Sequence, residues 1–297
     1  MKENTLDVTE QSKVFEFMSI GEIVNQTLQK NVKEESTPTN GLSTGFNEID
    51  RVISGLKNGQ LVTVAVRPGM GKTAFLLSLT NNIAIKNNHS VAIFSSERSN
   101  QKITNRIIES ETGMSIEKLR SGEVIENEND QLHAIISNIA KAKIYLDDTP
   151  SLSVEELVKK SRQLKFFNSV DLIIIDYLEL LSTNDVEADS REEQLNNIVH
   201  TVKEIAKELN VPIVLFSQIQ GQGFGYNSFR KPAIKDIPVF LSELSDVVMF
   251  LHRTDLMGQS CHIKEKVEMI IAKYDNQNHN TSVPLRYIES MAKFAST

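Results

Sequence analysis

Cysteine and tryptophan are almost missing from this chain of 297 residues: there is one cysteine, Cys261, and no tryptophan. A single cysteine excludes a disulfide bond within the chain and fits a reducing compartment, so we expect a cytoplasmic protein. No apolar run approaches the ~20 residues that a membrane-spanning helix needs, and the first residues, Met1 to Asn4, lack the apolar core of a signal peptide. We therefore expect no membrane partner.

Positive charge is not in excess either. The formal net charge is −7, from 32 lysines and arginines against 39 aspartates and glutamates. This balance excludes a general attraction to nucleic acid, so any contact with DNA must come from a local basic patch. Apolar residues make up 40% of the chain, and the length is enough for one large α/β domain with a short extension.

A glycine-containing run follows the apolar segment Leu61–Val66 and precedes a helical pattern; it reads Arg67-Pro68-Gly69-Met70-Gly71-Lys72-Thr73. In this context the run predicts a phosphate-binding loop, in which backbone N–H groups and a helix N-terminus face the anion. We expect Lys72 to reach the β- and γ-phosphates and the Thr73 hydroxyl to hold Mg²⁺, while Ala74 completes the nucleotide-binding set. The alternative is an ordinary turn between a strand and a helix.

Apolar runs and helical patterns alternate from Gly41 onward, which predicts a mostly parallel sheet with helices on both faces. The runs suited to buried strands are Leu61–Val66, Val91–Ser95, Leu172–Ile175, Ile213–Phe216 and Val247–Leu251, with Val267–Lys273 and Ser282–Tyr287 as a closing pair. The helical patterns lie near 74–88, 101–111, 130–142, 155–167 and 192–209. A capping box from Ser153 to Glu156 marks one helix start.

The first forty residues are predicted to be a polar tail, a short helix and a polar linker. Five residues share one face of that helix, namely Ile20, Ile23, Val24, Thr27 and Leu28. The helix must bury this face on its own domain or on a neighbouring subunit. We thus expect a tail and linker helix in 1–40 and a single α/β domain in 41–297.

Three polar residues follow predicted strands, at the edge where ligands of parallel sheets bind. Asp176 is expected to bind Mg²⁺ directly or through water; the alternative is a strand-end acid without special meaning. Glu97 can orient and deprotonate the water that attacks a triphosphate, unless it only caps the helix that starts near Asn100. Gln218 can hydrogen-bond the γ-phosphate or that water.

The segment after Gln218, from Ile219 to Phe229, combines Gly221, Gly223 and Gly225 with the aromatic residues Phe224 and Tyr226 and precedes Arg230 and Lys231. Such a loop can contact single-stranded DNA by stacking and by phosphate contacts, which makes Arg230 and Lys231 candidate DNA-binding residues. Its composition fits a flexible surface loop equally well.

Together these residues resemble the ATPase domain of the DnaB-family replicative DNA helicases, which have a RecA-like P-loop NTPase core. Besides the phosphate loop, the resemblance rests on Gly45–Asp50, Phe94–Glu97, Ile174–Leu180 and Leu209–Gln218, within about Met18 to Phe294. It implies ATP and Mg²⁺ as cofactors, single-stranded DNA as a partner, a homo-hexamer or mixed ring, and a linker helix near Ile20 that packs on the adjacent subunit.

The sequence departs from the family pattern at three places. Almost nothing precedes the linker helix, so the family's N-terminal domain, which supports the ring and primase binding, has no counterpart in the printed sequence. The family's Arg-Glu-Ser-Gly segment is replaced by Asp236–Glu243. The family's arginine finger belongs to a Lys-x-Arg run, which here reads Lys273-Tyr274-Asp275. Lys273 is retained and, by resemblance, catalytic.

Asp275 therefore stands at the arginine position. A finger supplied in trans typically raises the rate by ~10³–10⁵, whereas an acid should repel the γ-phosphate. Either Lys273 suffices, another cation substitutes, or hydrolysis across the subunit interface is poor.

Three hypotheses follow. The first, which we favour, is an ATP-dependent helicase or translocase on single-stranded DNA in replication, because the loop, Asp176, Glu97 and Gln218 are intact. The second is a weakly hydrolysing relative that regulates, loads or co-assembles with a replicative helicase, favoured by Asp275 and the altered DNA segment. The third is a recombinase-type RecA-like ATPase that binds DNA without unwinding it.

Overall fold

A computed structural model describes residues 41–121, 129–183, 190–219, 230–253, 267–275 and 277–297. The predicted tail and linker helix, and nearly all of the predicted glycine-rich loop, lie outside the described residues. Among the helices that are described, none combines the length and the apolar character needed to cross a membrane.

Nine strands are present in the described residues: β1 (Leu61–Val66), β2 (Val91–Ser95), β3 (Ile144–Asp147), β4 (Leu172–Asp176), β5 (Ile213–Gln218), β6 (Val247–Arg253), β7 (Val267–Tyr274), β8 (Gln277–Ile288) and β9 (Lys293–Ser296). They form one sheet in the order β3-β2-β4-β5-β1-β6-β7-β8-β9. Neighbours from β3 to β6 pair in parallel, and neighbours from β6 to β9 pair antiparallel. The predicted mostly parallel sheet is confirmed.

The helices of the described residues are α1 (Asn47–Ile53), α2 (Lys72–Thr80), α3 (Asn100–Thr112), α4 (Ile116–Ser121), α5 (Asn129–Lys141), α6 (Val154–Asn168), α7 (Arg191–Leu209) and α8 (Val239–Leu244). The chain continues beyond α2 as a π-helical segment, Asn81–Lys86. Most of these helices follow a strand and lead into another, as βαβ units require.

Helices cover both faces of the sheet, so strand residues alternate between two cores. Val62, Val64 and Val66 of β1 pack with α1 and α2, while Leu61 and Ala65 pack with α6, α7 and α8. All residues of β1 are buried, which is why its sequence is apolar at every position except Thr63 rather than alternating; the Thr63 hydroxyl shares a hydrogen bond with the Ser245 hydroxyl at 2.6 Å.

Four aromatic rings pack together in the first core. Phe75 of α2 stacks on Phe46 at 5.3 Å between ring centroids and meets Phe216 and Phe294 edge-on at 6.4 and 6.1 Å. The helix that follows the 67–71 loop is therefore anchored by rings from β5, from β9 and from the residue before α1.

Five elements were not predicted from the sequence: the helices α1, α4 and α8 and the strands β3 and β9. α1 has no side-chain cap at its start, so it carries no N-terminal signal. β3 and β9 have four residues each and lie at the two edges of the sheet, where half-exposed positions interrupt the apolar pattern. The structure also extends five predicted strands, β4 to β8, and Asp176, Gln218 and Arg253 become the last residues of β4, β5 and β6.

The predicted start of α6 is confirmed and can be tested by its cap. The Ser153 hydroxyl accepts the Glu156 N–H at 3.2 Å. Ser153→Ala should lower the free energy of unfolding by ~1 kcal/mol, because it leaves an N-terminal N–H without a partner. Urea denaturation measures the loss. Ser153→Asp keeps an acceptor at the same place and should remain within a few tenths of a kcal/mol of the wild type; equal losses in both variants would show that the cap is not responsible.

Candidate functional site

The parallel register brings four strand ends to one edge of the sheet. Ser95 of β2 lies beside Asp176 of β4, and Val66 of β1 lies beside Gln218 of β5. Glu97 follows β2 by two residues. The predicted site residues on these strands therefore meet at the edge where the 67–71 loop begins.

Two glycines give this loop its shape. Gly69 and Gly71 have φ values of +78° and +98°, a region that residues with a Cβ rarely adopt. Gly71 is the residue before α2, and its carbonyl accepts the Phe75 N–H at 3.0 Å. The loop thus turns directly into the N-terminus of α2, where unpaired N–H groups and the helix dipole favour an anion.

Lys72 joins the loop to both predicted acids. Its Nζ lies 2.5 Å from Glu97 Oε2 and 2.7 Å from Asp176 Oδ1, and 3.6 Å from the centroid of the Tyr177 ring. The predicted phosphate-binding lysine therefore contacts both the predicted base and the predicted metal ligand. Together they are two carboxylates and one ammonium, so one negative charge is in excess.

Asp176 has the chemistry of a cation ligand. Its side chain is 1% exposed, and its Oδ2 accepts the Ser95 hydroxyl at 3.1 Å. Its Oδ1 is buried and accepts no hydrogen bond, although Lys72 lies close by. Among the described residues no three His, Cys, Asp or Glu side chains cluster as a metal site. A buried carboxylate oxygen without a hydrogen bond, such as Asp176 Oδ1, is one ligand type that Mg²⁺ accepts, since this ion usually takes one or two protein oxygens and completes its shell with water and substrate phosphates.

Glu179 binds the backbone of Gln218, a role that the sequence analysis did not predict. Glu179 Oε1 accepts the Ser217 hydroxyl at 2.6 Å and the Gln218 N–H at 3.1 Å. Burial raises the pKa of the Glu179 carboxyl, while these hydrogen bonds oppose the rise. The short helical turn after β4 thereby fixes the end of β5.

A cleft of about 810 Å³ opens over this edge. It is lined by Glu97, by Gln218 and by every predicted nucleotide-binding residue except Met70, whose side chain packs on the core.

Arg253, at the end of β6, and Tyr287, on β8, form part of the opposite wall of the cleft. The Arg253 guanidinium lies over the Tyr287 ring, 4.1 Å from its centroid. Arg253 could have been found as a polar residue just after an apolar strand; Tyr287 carries no such signal.

Lys273 is not brought to this cleft. It lies on the antiparallel strand β7 beside Val248, at the opposite edge of the sheet, because Val247 pairs with the start of β1. Its Nζ donates to the carbonyls of Ser242, Glu243 and Ser245 at 2.8, 3.1 and 2.8 Å. Although Lys273 lies near the carboxyl end of its own strand, that strand is antiparallel to β6, so Lys273 lies at the edge of the sheet opposite to Asp176 and Gln218.

The predicted DNA-binding residues are engaged with acids of the same chain. Both terminal nitrogens of Arg230 donate to Asp236. Lys231 donates to Glu268 at 2.6 Å and to Ser282 at 3.2 Å. These contacts neutralise the two cations in the described structure.

Asp275 is also paired. Its Oδ1 lies 3.5 Å from Lys57 Nζ, and Lys57 itself lies 5.0 Å from the centroid of the Tyr274 ring. The position that resembles the arginine finger therefore carries an ion pair, with the pKa of Lys57 raised chiefly by Tyr274 and also by Asp275.

The raised pKa of Glu179 predicts a pH dependence of stability. The folded chain keeps this proton to a higher pH than the unfolded chain, so the stability it contributes is complete below about pH 4.3 and is lost as the pH rises through the folded pKa. Glu179→Gln is neutral throughout. The free energy of unfolding of the wild type, relative to Glu179→Gln, should therefore fall from about pH 4.3 towards neutrality in urea titrations.

The matched control is Glu204→Gln, at an exposed position of α7. Its difference from the wild type should change much less with pH. The same slope for both variants would contradict the assignment to Glu179.

Comparison with known proteins agrees with this geometry. The family model for the DnaB-like helicase C terminal domain matches residues 41–296. The chain is 32% identical to the replicative DNA helicase DnaC of Bacillus subtilis and to the replicative DNA helicase DnaB of Geobacillus stearothermophilus; each match covers 98% of this chain. The chain spans 64% of the length of these two relatives.

Two solved structures share the fold. One is an ATPase domain solved by itself, with a TM-score of 0.84 and 28% identity over 95% of this chain and all of that one. The other is a DnaB-like replicative helicase described with its interactions with primase, with a TM-score of 0.80 and 28% identity over 95% of this chain and 68% of that one. This chain belongs to the DnaB-like helicase family and contains its C-terminal ATPase domain.

Proposed function

We propose that this chain binds MgATP in the cleft above β1 and hydrolyses it, as the motor domain of a cytoplasmic replicative helicase or translocase on single-stranded DNA. The observation that supports this most is the contact of Lys72 with both Glu97 and Asp176 beside a glycine-shaped loop. In this proposal residues 41–297 form the motor domain, and residues 1–40 supply a tail and a linker helix.

The phosphates bind where the loop meets α2. The loop N–H groups and the α2 N-terminus take the phosphate oxygens, and Lys72 exchanges its carboxylate partners for the β- and γ-phosphates. Thr73 and Asp176 would hold Mg²⁺, which supplies neutralisation of charge on the phosphate oxygens. Removal of Lys72 from Asp176 leaves the buried Oδ1 available for that role.

Hydrolysis then depends on Glu97 and Gln218. Glu97 is half-exposed at the cleft and, once Lys72 turns to phosphate, its carboxylate can orient an attacking water and accept its proton. Gln218 lines the same cleft, and the Glu179 contacts hold its backbone, so its side chain can report whether the γ-phosphate is present.

The nucleoside fits the opposite wall. A guanidinium plane and an aromatic ring, Arg253 and Tyr287, form a stacking surface beside the loop, and such surfaces suit the flat face of a base.

The remaining parts of the motor lie between subunits. Lys273 cannot reach its own cleft from the opposite edge of the sheet, so a catalytic Lys273 acts on the nucleotide of a neighbouring subunit in a homo-hexamer or mixed ring. It must first leave three carbonyl partners. Likewise, Arg230 and Lys231 bind DNA only by releasing Asp236 and Glu268.

A second function is favoured by the ion pairs of Asp275, Arg230 and Lys231. With Asp275 bound to Lys57 and the two basic residues neutralised, the chain has the features of a weakly hydrolysing relative that regulates, loads or co-assembles with a replicative helicase. In that case a partner subunit supplies the missing arginine.

Two substitutions test the proposed site. Lys72→Ala should abolish detectable MgATP binding, because the loop loses its only side-chain ammonium. Glu97→Gln should keep binding within a few-fold but lower the ATPase rate by ~10²–10⁴, the usual contribution of a general base. Calorimetric binding and phosphate release with and without single-stranded DNA measure both. Wild-type activity in Lys72→Ala would remove the central assignment.

Asp275→Arg tests assembly. If identical subunits form the family's ring, an arginine at 275 should raise the DNA-stimulated ATPase rate by at least about tenfold, towards the ~10³–10⁵ that a finger contributes. Asp275→Asn is the control, because it removes the acid without adding the finger. No gain of Asp275→Arg over Asp275→Asn would argue against this interface, while a wild type that binds ATP without turnover would support the regulator.

A further inference from the structure

The last strand of the chain lies on the helix that follows the phosphate loop. The Phe294 N–H of β9 donates to the Ser78 hydroxyl at 2.9 Å, and that hydroxyl donates to the Ala74 carbonyl at 2.7 Å. Next to it, Lys293 pairs with Glu111, which also accepts from the Asn81 side chain at 2.9 Å. β9 is therefore tied to α2 and to the π-helical segment after it.

The Phe294 ring reaches beyond this contact to the loop itself. A Cβ built on Gly71 would lie 2.9 Å from Phe294 Cζ and 3.1 Å from Cε2, so the ring edge directly abuts the loop backbone. The ring is 1% exposed and also contacts Phe75 at 6.1 Å and Tyr287 at 4.9 Å between centroids. It joins the loop to the wall that carries Tyr287.

The two glycines of the loop differ in the atoms that surround them. Around the Cβ position of Gly69 nothing lies within 4 Å, whereas the corresponding space at Gly71 is filled by Phe294, with Arg253 at 3.9 Å. Gly71 immediately precedes Lys72 and Thr73. The Phe294 ring therefore packs against Gly71, the residue whose backbone conformation sets the direction of the Lys72 and Thr73 side chains.

We propose that Phe294 is a positioning residue for nucleotide binding: its ring holds Gly71 in place, so that the loop has its binding conformation before nucleotide arrives. The inference rests on the proposed function for its effect on affinity, but not for its effect on the loop. If a binding site is already ordered before the ligand arrives, no free energy is spent on ordering it during binding, and the affinity is higher. A smaller side chain leaves a space behind Gly71 into which the loop can relax.

Phe294→Leu tests this against a matched core substitution, Phe46→Leu. Phe46 is also fully buried and stacks on Phe75, but it is not among the nearest neighbours of Gly71. Both variants replace one ring of the same aromatic cluster, so both should lose similar stability in urea titrations. Only Phe294→Leu should weaken MgADP binding, by about tenfold, and raise KM for ATP while kcat changes less than about twofold.

Amide hydrogen exchange of the full chain without nucleotide gives a second readout. Peptides that contain residues 67–73 should exchange at least about fivefold faster in Phe294→Leu and at the wild-type rate in Phe46→Leu. Phe294→Met, a long flexible apolar side chain, should restore most of the MgADP affinity.

The outcomes separate the two proposals. Failure of the wild type to bind MgADP overturns the proposed function, while the exchange measurement still decides whether Phe294 orders the loop. Wild-type MgADP affinity and loop exchange in Phe294→Leu, or equal losses in Phe46→Leu, overturn the positioning role alone.

Discussion

One lysine between two carboxylates organises the functional edge of this molecule. Lys72 of α2 meets Glu97 after β2 and Asp176 at the end of β4 within 2.7 Å of each, although these residues are far apart in the sequence. The three groups together carry one excess negative charge in a partly buried place. In the proposed function, MgATP would rearrange this set: the ammonium would pass to phosphate, and the Asp176 carboxylate would pass to the metal.

Further contacts fix Asp176 and the residues that surround Lys72 and Glu97. Ser95 binds Asp176, and Glu179 binds the end of β5 behind Gln218. On the other side, Phe294 abuts Gly71 and joins α2 to the last strand. The cleft is thus framed by strands from the parallel and the antiparallel parts of the same sheet, so the closing strands contribute to the site as well as to the core.

Contacts within the chain occupy the groups that the sequence analysis suggests for DNA and for neighbouring subunits. Arg230, Lys231 and Asp275 are each paired with a side chain of opposite charge, and Lys273 is held by three carbonyls. Any use of these residues across an interface exchanges one set of contacts for another. The net free energy of such an exchange is smaller than that of forming the new contacts alone, because the contacts within the chain must first be given up.

Local pattern was enough to predict much of this protein. The strand–loop–helix around Lys72, the acid at the end of β4 and the cap at Ser153 depend on neighbours in the sequence, since buried parallel strands read as apolar runs and helix starts carry their own polar signal. Only the tertiary structure decided the contacts between distant segments. Lys72 contacts both acids, Glu179 contacts Gln218, and Phe294 contacts Gly71. The tertiary structure also placed Lys273 away from the cleft, because its strand runs antiparallel to the others. Strand order and direction arise from packing over the whole chain, and no short stretch of sequence encodes them.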